Sequence, residues 1–326
     1  MNKNYESLKQ LIKEDVEDVF KDSNKKIRRP WLGFFIIGVI LIIISPIIWG
    51  ILTATNQAEF NSWWKILLVM VLPVIGAFLA GFYQIQLTNF KKKLKSQINF
   101  NKYYKAGLQI SIDREVNDCL IQNNKITSAF DLKEYSHLDS SWKLSKNHSF
   151  LNFDFKNFQA SYGVVNYERY VNKKHEYCKQ EFFQLICLEA DKSHDFEMFF
   201  KTYKFNLDKG HNKVSLESTE FNKLVNLYSS DQIEARKVFP PIKMQKVLDS
   251  LNQKDKARFR FLFVKKNTIF GQIKTFNAKH AFRSDFNDFK YDKDNDKLVD
   301  NIYKKITQEL ADINQINDFL NILELY

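Results

Sequence analysis

Residues 31–52 read WLGFFIIGVILIIISPIIWGIL, 22 positions without a charge. At a helical rise of about 1.5 Å per residue this covers about 33 Å, enough for a hydrocarbon core about 30 Å thick. A second uncharged stretch, ILLVMVLPVIGAFLAGFYQIQL, occupies 66–87. Trp31 and Trp49 flank the first stretch, and Trp63, Trp64 and Tyr83 the second. Membrane–water interfaces favour such aromatic residues. The pattern predicts a transmembrane hairpin over 31–89, with spans at 31–52 and 66–87. A cleaved secretory signal does not fit, because six carboxylates precede the first span and no small-residue cleavage site follows it.

Lys21, Lys25, Lys26, Arg28 and Arg29 precede the first span, and Lys91, Lys92, Lys93 and Lys95 follow the second. The connection at 53–61 carries no Lys or Arg. The positive-inside rule then predicts a multi-pass protein of the cell (plasma) membrane with both termini cytoplasmic, and the lipid bilayer as a partner. Pro46 and Pro73 fall inside the spans, where kinks are expected. Gly76, Ala77, Ala80 and Gly81 supply small residues for close helix approach. This favours packing of the two spans on each other, with an oligomer contact through Gly76, Ala80 and Gly81 as the other possibility.

The whole chain is mostly water-compatible: 326 residues, 44% hydrophobic, mean hydropathy −0.38. Its 30 Phe and 14 Tyr give ample core material. A net charge of +11 attracts anionic lipid or nucleic acid. Beyond the membrane flanks, however, the cations are interspersed with acids, so nucleic acid is not an expected partner. Three Cys make no disulfide framework and suit a reducing compartment.

Residues 1–30 form a separate region with Leu8, Leu11, Ile12, Val16, Val19 and Phe20 at helical spacing, an amphipathic helix expected to pack on the C-terminal domain. Residues 98–326 form that cytoplasmic domain. Ser111 is read as capping a helix through Ile112, Val116 and Leu120. Alternation then predicts strands around 151–155, 164–171, 179–190, 195–205 and 214–216. Ser218 or Thr219 starts a helix with Phe221, Leu224 and Val225, Pro240-Pro241 introduces another, and 258–275 forms a hairpin. A long helix over 298–320 closes the chain. The fold class is α+β: a transmembrane two-helix hairpin, then a mostly antiparallel sheet with flanking helices.

Val214–Pro241 reads VSLESTEFNKLVNLYSSDQIEARKVFPP. The Leu216-Glu217-Ser218 turn, Glu220–Lys223, Tyr228–Gln232 and Glu234–Arg236 before a Pro-led helix resemble the bacterial two-span membrane-protein family catalogued as domain of unknown function 3137. Ser230 stands where the family pattern has Asp, and Pro240-Pro241 where it has Thr-Pro. The resemblance implies a cytoplasmic α+β domain on a membrane hairpin and implies no activity.

Catalytic and metal signals are sparse. Asp292, Asp294 and Asp296 give D-x-D-x-D, but Lys297 and Tyr303 stand where a calcium loop needs Gly and Glu. These acids read instead as a helix lead-in, with Asp294 or Asp296 as cap. His175 and Cys178 lack the second pair a zinc site needs. Cys119, with His137 or His148, has no accompanying oxyanion motif. No phosphate-loop, dinucleotide or metalloprotease motif is present. No cofactor, metal or catalytic residue is expected. Glu217, Glu220, Tyr228, Asp231, Glu234 and Arg236 form the candidate binding or structural motif, with Gln232–Val238 read as extended so that Glu234 and Arg236 share a face. The functional expectation is a membrane-anchored domain binding a protein or ligand at the inner membrane face. The alternative is a membrane-tethered enzyme with a carboxylate-based site near 217–236.

Overall fold

The computed structural model describes residues 5–55, 63–112, 115–123, 141–145, 148–155, 157–171, 174–188, 194–200, 212–252, 258–274, 286, 289–292 and 294–324. The chain divides into two compact units. The first combines 1–12, 100–290 and 297–326; the second combines 13–99 and 291–296.

The second unit is built on α2 (Trp63–Gln97) and on α1 (Glu6–Thr55) from Lys13 onward, residues 6–12 of α1 belonging to the first unit. The amphipathic and apolar stretches at the N-terminus are thus one continuous helix, unbroken at Pro46, and Pro73 lies inside α2. The helices approach most closely at Gly38 and Gly76. A methyl group at Gly76 would lie 2.6 Å from the Gly38 carbonyl oxygen, so neither position has room for a side chain. Gly76 is therefore used within the pair, with Ala80 beside Gly38, while Gly81 faces open space. Among the described residues Met70–Gln97 is long and apolar enough to cross a membrane, and Gly33–Ile48 is a shorter apolar helical segment. Phe90 and Lys91 of α2 pack on the Tyr291 ring.

The first unit is α+β. Its sheet has ten strands: β1 (Val116–Asn123), β2 (Lys143–Leu144), β3 (Ser149–Phe155), β4 (Phe158–Val171), β5 (Lys174–Cys187), β6 (His194–Phe200), β7 (Asn212–Val214), β8 (Val225–Ser229), β9 (Arg258–Lys266) and β10 (Thr268–Lys274). The spatial order is β1-β3-β4-β5-β10-β9-β6-β8-β7, with β2 beside β4. All pairings among the described strands are antiparallel. The apolar run around Phe182 and Phe183 is a central strand, as its two-sided hydrophobicity predicts. The 258–275 hairpin also lies in the middle of the sheet, turning at Lys266, whose φ is 55°.

Helices α3 (Phe100–Ile112) and α7 (Asn295–Leu323) belong to this unit, with the short α4 (Thr219–Leu224), α5 (Gln232–Val238) and α6 (Pro241–Asn252). Register places Tyr162, Glu181, Phe183 and Ile273 on one sheet face. That face carries α7: the Tyr162 hydroxyl bonds Asn317 at 2.7 Å, and the Phe319 ring lies 4.3 Å from that of Phe259. Leu8 and Ile12 are buried, and Gly107 of α3 makes room for Leu310 and Leu8. The opposite face holds an aromatic cluster of Phe150, Tyr167, Phe182, Phe199, Phe261 and Phe270.

Three expected elements differ. The helix read from Ser111 is the last turn of α3 followed by β1. Val116 and Leu120 stand four residues apart in β1, but Val116 is buried and Leu120 is exposed, so their spacing marks no shared face. Val225 begins β8 where a helix was expected to continue. Gln232–Val238 is helical, not extended.

Candidate functional site

The 214–241 segment spends its polar residues on its own backbone. Ser218 Oγ accepts from the Phe221 amide at 3.1 Å and caps α4. Asn222 accepts from the Leu216 amide at 3.2 Å and donates to the Leu216 carbonyl at 2.7 Å. Asp231 Oδ1 accepts from the amides of Ile233 (2.8 Å) and Glu234 (3.0 Å), capping α5. These bonds satisfy amides that a helix start leaves without partners. Glu234 pairs with Lys237 at 2.6 Å, and that carboxylate raises the Lys237 pKa. The expected Glu234–Arg236 face-sharing fails because residues two apart on a helix point to different sides. Glu217, Glu220 and Arg236 are exposed, and Tyr228 is half-buried, its ring edge-on to Phe199.

A second polar group, absent from the sequence expectations, lies inside the domain. The Lys305 ammonium is buried on α7, 2.7 Å from the Phe286 carbonyl oxygen, 2.9 Å from the Tyr104 hydroxyl and 3.2 Å from Glu309 Oε2. Tyr104 donates in turn to the same Glu309 carboxylate. The rings of Phe100, Tyr104 and Phe286 surround the ammonium at 5.5–5.8 Å. One turn further along α7, burial together with Glu181 and Glu309 pushes the Asp312 carboxyl up to about 8. At neutral pH this cluster therefore holds a proton on Asp312. The signal was present in the sequence: Lys305 and Glu309 lie on the apolar stripe marked by Leu298, Ile302, Ile306 and Leu310. Glu181 likewise shares strand parity with Phe183 and Leu185.

A third feature is exposed. The β4–β5 ribbon outruns its neighbours: β3 pairing ends at Val164 and β10 pairing at Glu181. Past those points, one ribbon face presents Tyr170, His175 and Tyr177: Tyr170 meets His175 edge-on at a centroid distance of 5.0 Å, and His175 stacks on Tyr177 at 6.1 Å. On the other face Arg169 lies over the Trp142 ring at 4.5 Å and pairs with Glu176 at 2.5 Å.

Strand parity puts His175 and Cys178 on opposite faces of β5, so they share no metal. Among the described residues no group of three His, Cys, Asp or Glu is arranged to hold a metal ion. Cys119 is buried and its thiol is pushed up to about 12 by desolvation, which leaves it inert as a nucleophile at neutral pH. Asp294 Oδ1 accepts from the Asp296 amide at 3.0 Å, the expected helix-start role.

Along the chain, the family pattern described as "Protein of unknown function (DUF3137)" matches residues 147–325. The chain belongs to this family. The match takes in β3 to α7 and so includes the capped 214–241 segment, the Tyr170–His175–Tyr177 ribbon and Lys305, Glu309 and Asp312, while Phe100, Tyr104 and Trp142 lie before it. No curated protein and no solved structure matches the chain. This DUF3137 protein is therefore read from its own residues.

Proposed function

We propose that this DUF3137 protein is an integral membrane protein of a bacterial-type cell membrane, whose helical hairpin holds the α+β domain at the cytoplasmic face to bind a partner there. The observation that carries this reading is the surface of α1 and α2. Their glycines meet at the Gly38–Gly76 crossing, while Ile43, Ile47, Val74 and Phe78 point outward, Phe78 with 71% of its surface exposed. Two helices that keep such side chains outside their mutual contact need an apolar surrounding. The lysines at 91–95 and the Lys and Arg before residue 31 support the cytoplasmic orientation.

A binding role is supported by the exposed aromatic ribbon, whose Tyr rings are available for a contact at the membrane. The enzyme alternative at 217–236 gains no support: Glu217, Glu220 and Glu234 are exposed, and Asp231 is engaged in capping. Alkaline carbonate washing of membranes carrying the full chain tests the anchor. The chain should stay in the pellet, and release into the supernatant would overturn the reading.

A further inference from the structure

We propose that the protruding end of the β4–β5 ribbon docks on an anionic bilayer surface, with the Tyr170–His175–Tyr177 ladder among the headgroups and nearby lysines on the phosphates. This rests on the membrane reading above and adds a second, reversible contact to it.

The ladder has the chemistry of an interfacial element. Tyr170 and Tyr177 keep 64% and 66% of their surface exposed although each contacts the His175 ring. Tyr combines an apolar body with a polar tip, the combination enriched where hydrocarbon meets water. Lys143 and Lys179 are exposed on the ladder face, and Lys174 is exposed at the tip of the ribbon on the other face. Glu168 is the nearby acid on the ladder face, whereas Glu176 is neutralised by Arg169. The local balance is positive, as an anionic leaflet requires, and each lysine near such a surface adds about 1 kcal/mol of attraction.

The ribbon is stiffened for this task. Arg169, clamped between the Trp142 ring and Glu176, braces the face opposite the ladder. Its direction is also defined within the domain. Tyr162 bonds Asn317, whereas Glu181, opposite Val164, acts on Asp312. Moving up β4 thus runs down α7 toward its N-terminal end. The covalent link between the two units is short, because α2 ends at Gln97 and α3 begins at Phe100.

The test uses the full chain with Cys178→Ser and Cys187→Ser, reconstituted in phosphatidylcholine vesicles with or without phosphatidylglycerol. Tyr177→Cys carries an environment-sensitive fluorophore, and lipids carry a headgroup nitroxide. Phe78→Cys in α2, near the middle of the second span, is labelled in a parallel sample whose lipids carry the nitroxide near the end of the acyl chain. Both labels should be quenched in vesicles containing phosphatidylglycerol. Quenching at 177 should be lost at about 1 M salt, where the Debye length falls to about 3 Å, and weakened by Lys174→Glu with Lys179→Glu. Quenching at 78 alone would overturn the docking proposal and leave the anchor standing. Absence of quenching at 78 would overturn both. Quenching at 177 that is equal in neutral vesicles would contradict the anionic surface. Shielding at 177 without lipid quenching would place a protein there instead and overturn the proposal.

Discussion

Lys305 Nζ stands 3.2 Å from Glu309 Oε2, four residues along the same helix, with both side chains buried. Taking two charges out of water costs several kcal/mol per ion, so the pair persists because Tyr104, the Phe286 carbonyl and three rings complete its surroundings.

Glu309→Ala strands the ammonium and should cost about 3–5 kcal/mol. Replacing both residues, as Lys305→Met with Glu309→Leu, should cost much less. Thermal unfolding of the full chain in detergent compares the two. A double variant as unstable as Glu309→Ala would show that the pair's surroundings, not the stranded charge, decide the cost.

Asp312 makes stability fall as pH rises. Its carboxyl ionises near 8 when folded and near 3.8 ordinarily, so its proton favours the folded state. That contribution is complete below pH about 4 and is lost progressively up to about 8. Asp312→Asn should therefore match the natural chain at pH 4, melt higher at pH 8 and show a flatter profile between. Equal losses in both chains on going from pH 5 to 8 would remove Asp312 as the cause.

Arg236 on exposed α5 contributes little, so Arg236→Ala should shift stability by no more than about 0.5 kcal/mol. Asp231→Ala removes a cap with two amide bonds and should cost about 0.5–2 kcal/mol. Chemical denaturation distinguishes them. Loss of a co-purifying partner in Arg236→Ala at unchanged stability would make the segment a binding site.

The strands that alternate cleanly were legible: Leu151, Phe153 and Phe155 in β3, and the β9–β10 hairpin around Lys266. The long α7 was equally plain from Leu298 to Leu320. Two failures share one physical cause, that residue spacing alone does not set conformation. Val116 and Leu120 stand at the spacing of a helix in strand β1, where Leu120 is exposed. In the second, Glu234 and Arg236 suggested a shared face, whereas the Asp231 cap starts a helix there. The Lys305 cluster was passed over because its members come from α3, α7 and β5. Only the fold brings Tyr104, Glu309 and Glu181 near one another.

The Gly38–Gly76 crossing should tolerate no side chain. Gly76→Val places atoms on the Gly38 carbonyl and should lower the melting temperature of the detergent-solubilised chain. Gly50→Ala, where nothing lies within 4 Å, should leave it unchanged. Equal behaviour of the two variants would argue against the packed hairpin.

The central claim is the anchoring of the domain on the inner side of a membrane, and thiol labelling on intact cells tests it most directly. Cys119 cannot report, because burial alone keeps it silent. In a Cys178→Ser, Cys187→Ser chain, one cysteine is placed at Ala58 in the inter-span connection and, separately, one at Lys246 on the exposed side of α6. An impermeant maleimide should label position 58 before lysis and position 246 only after it. Labelling of position 246 on unbroken cells would contradict the account.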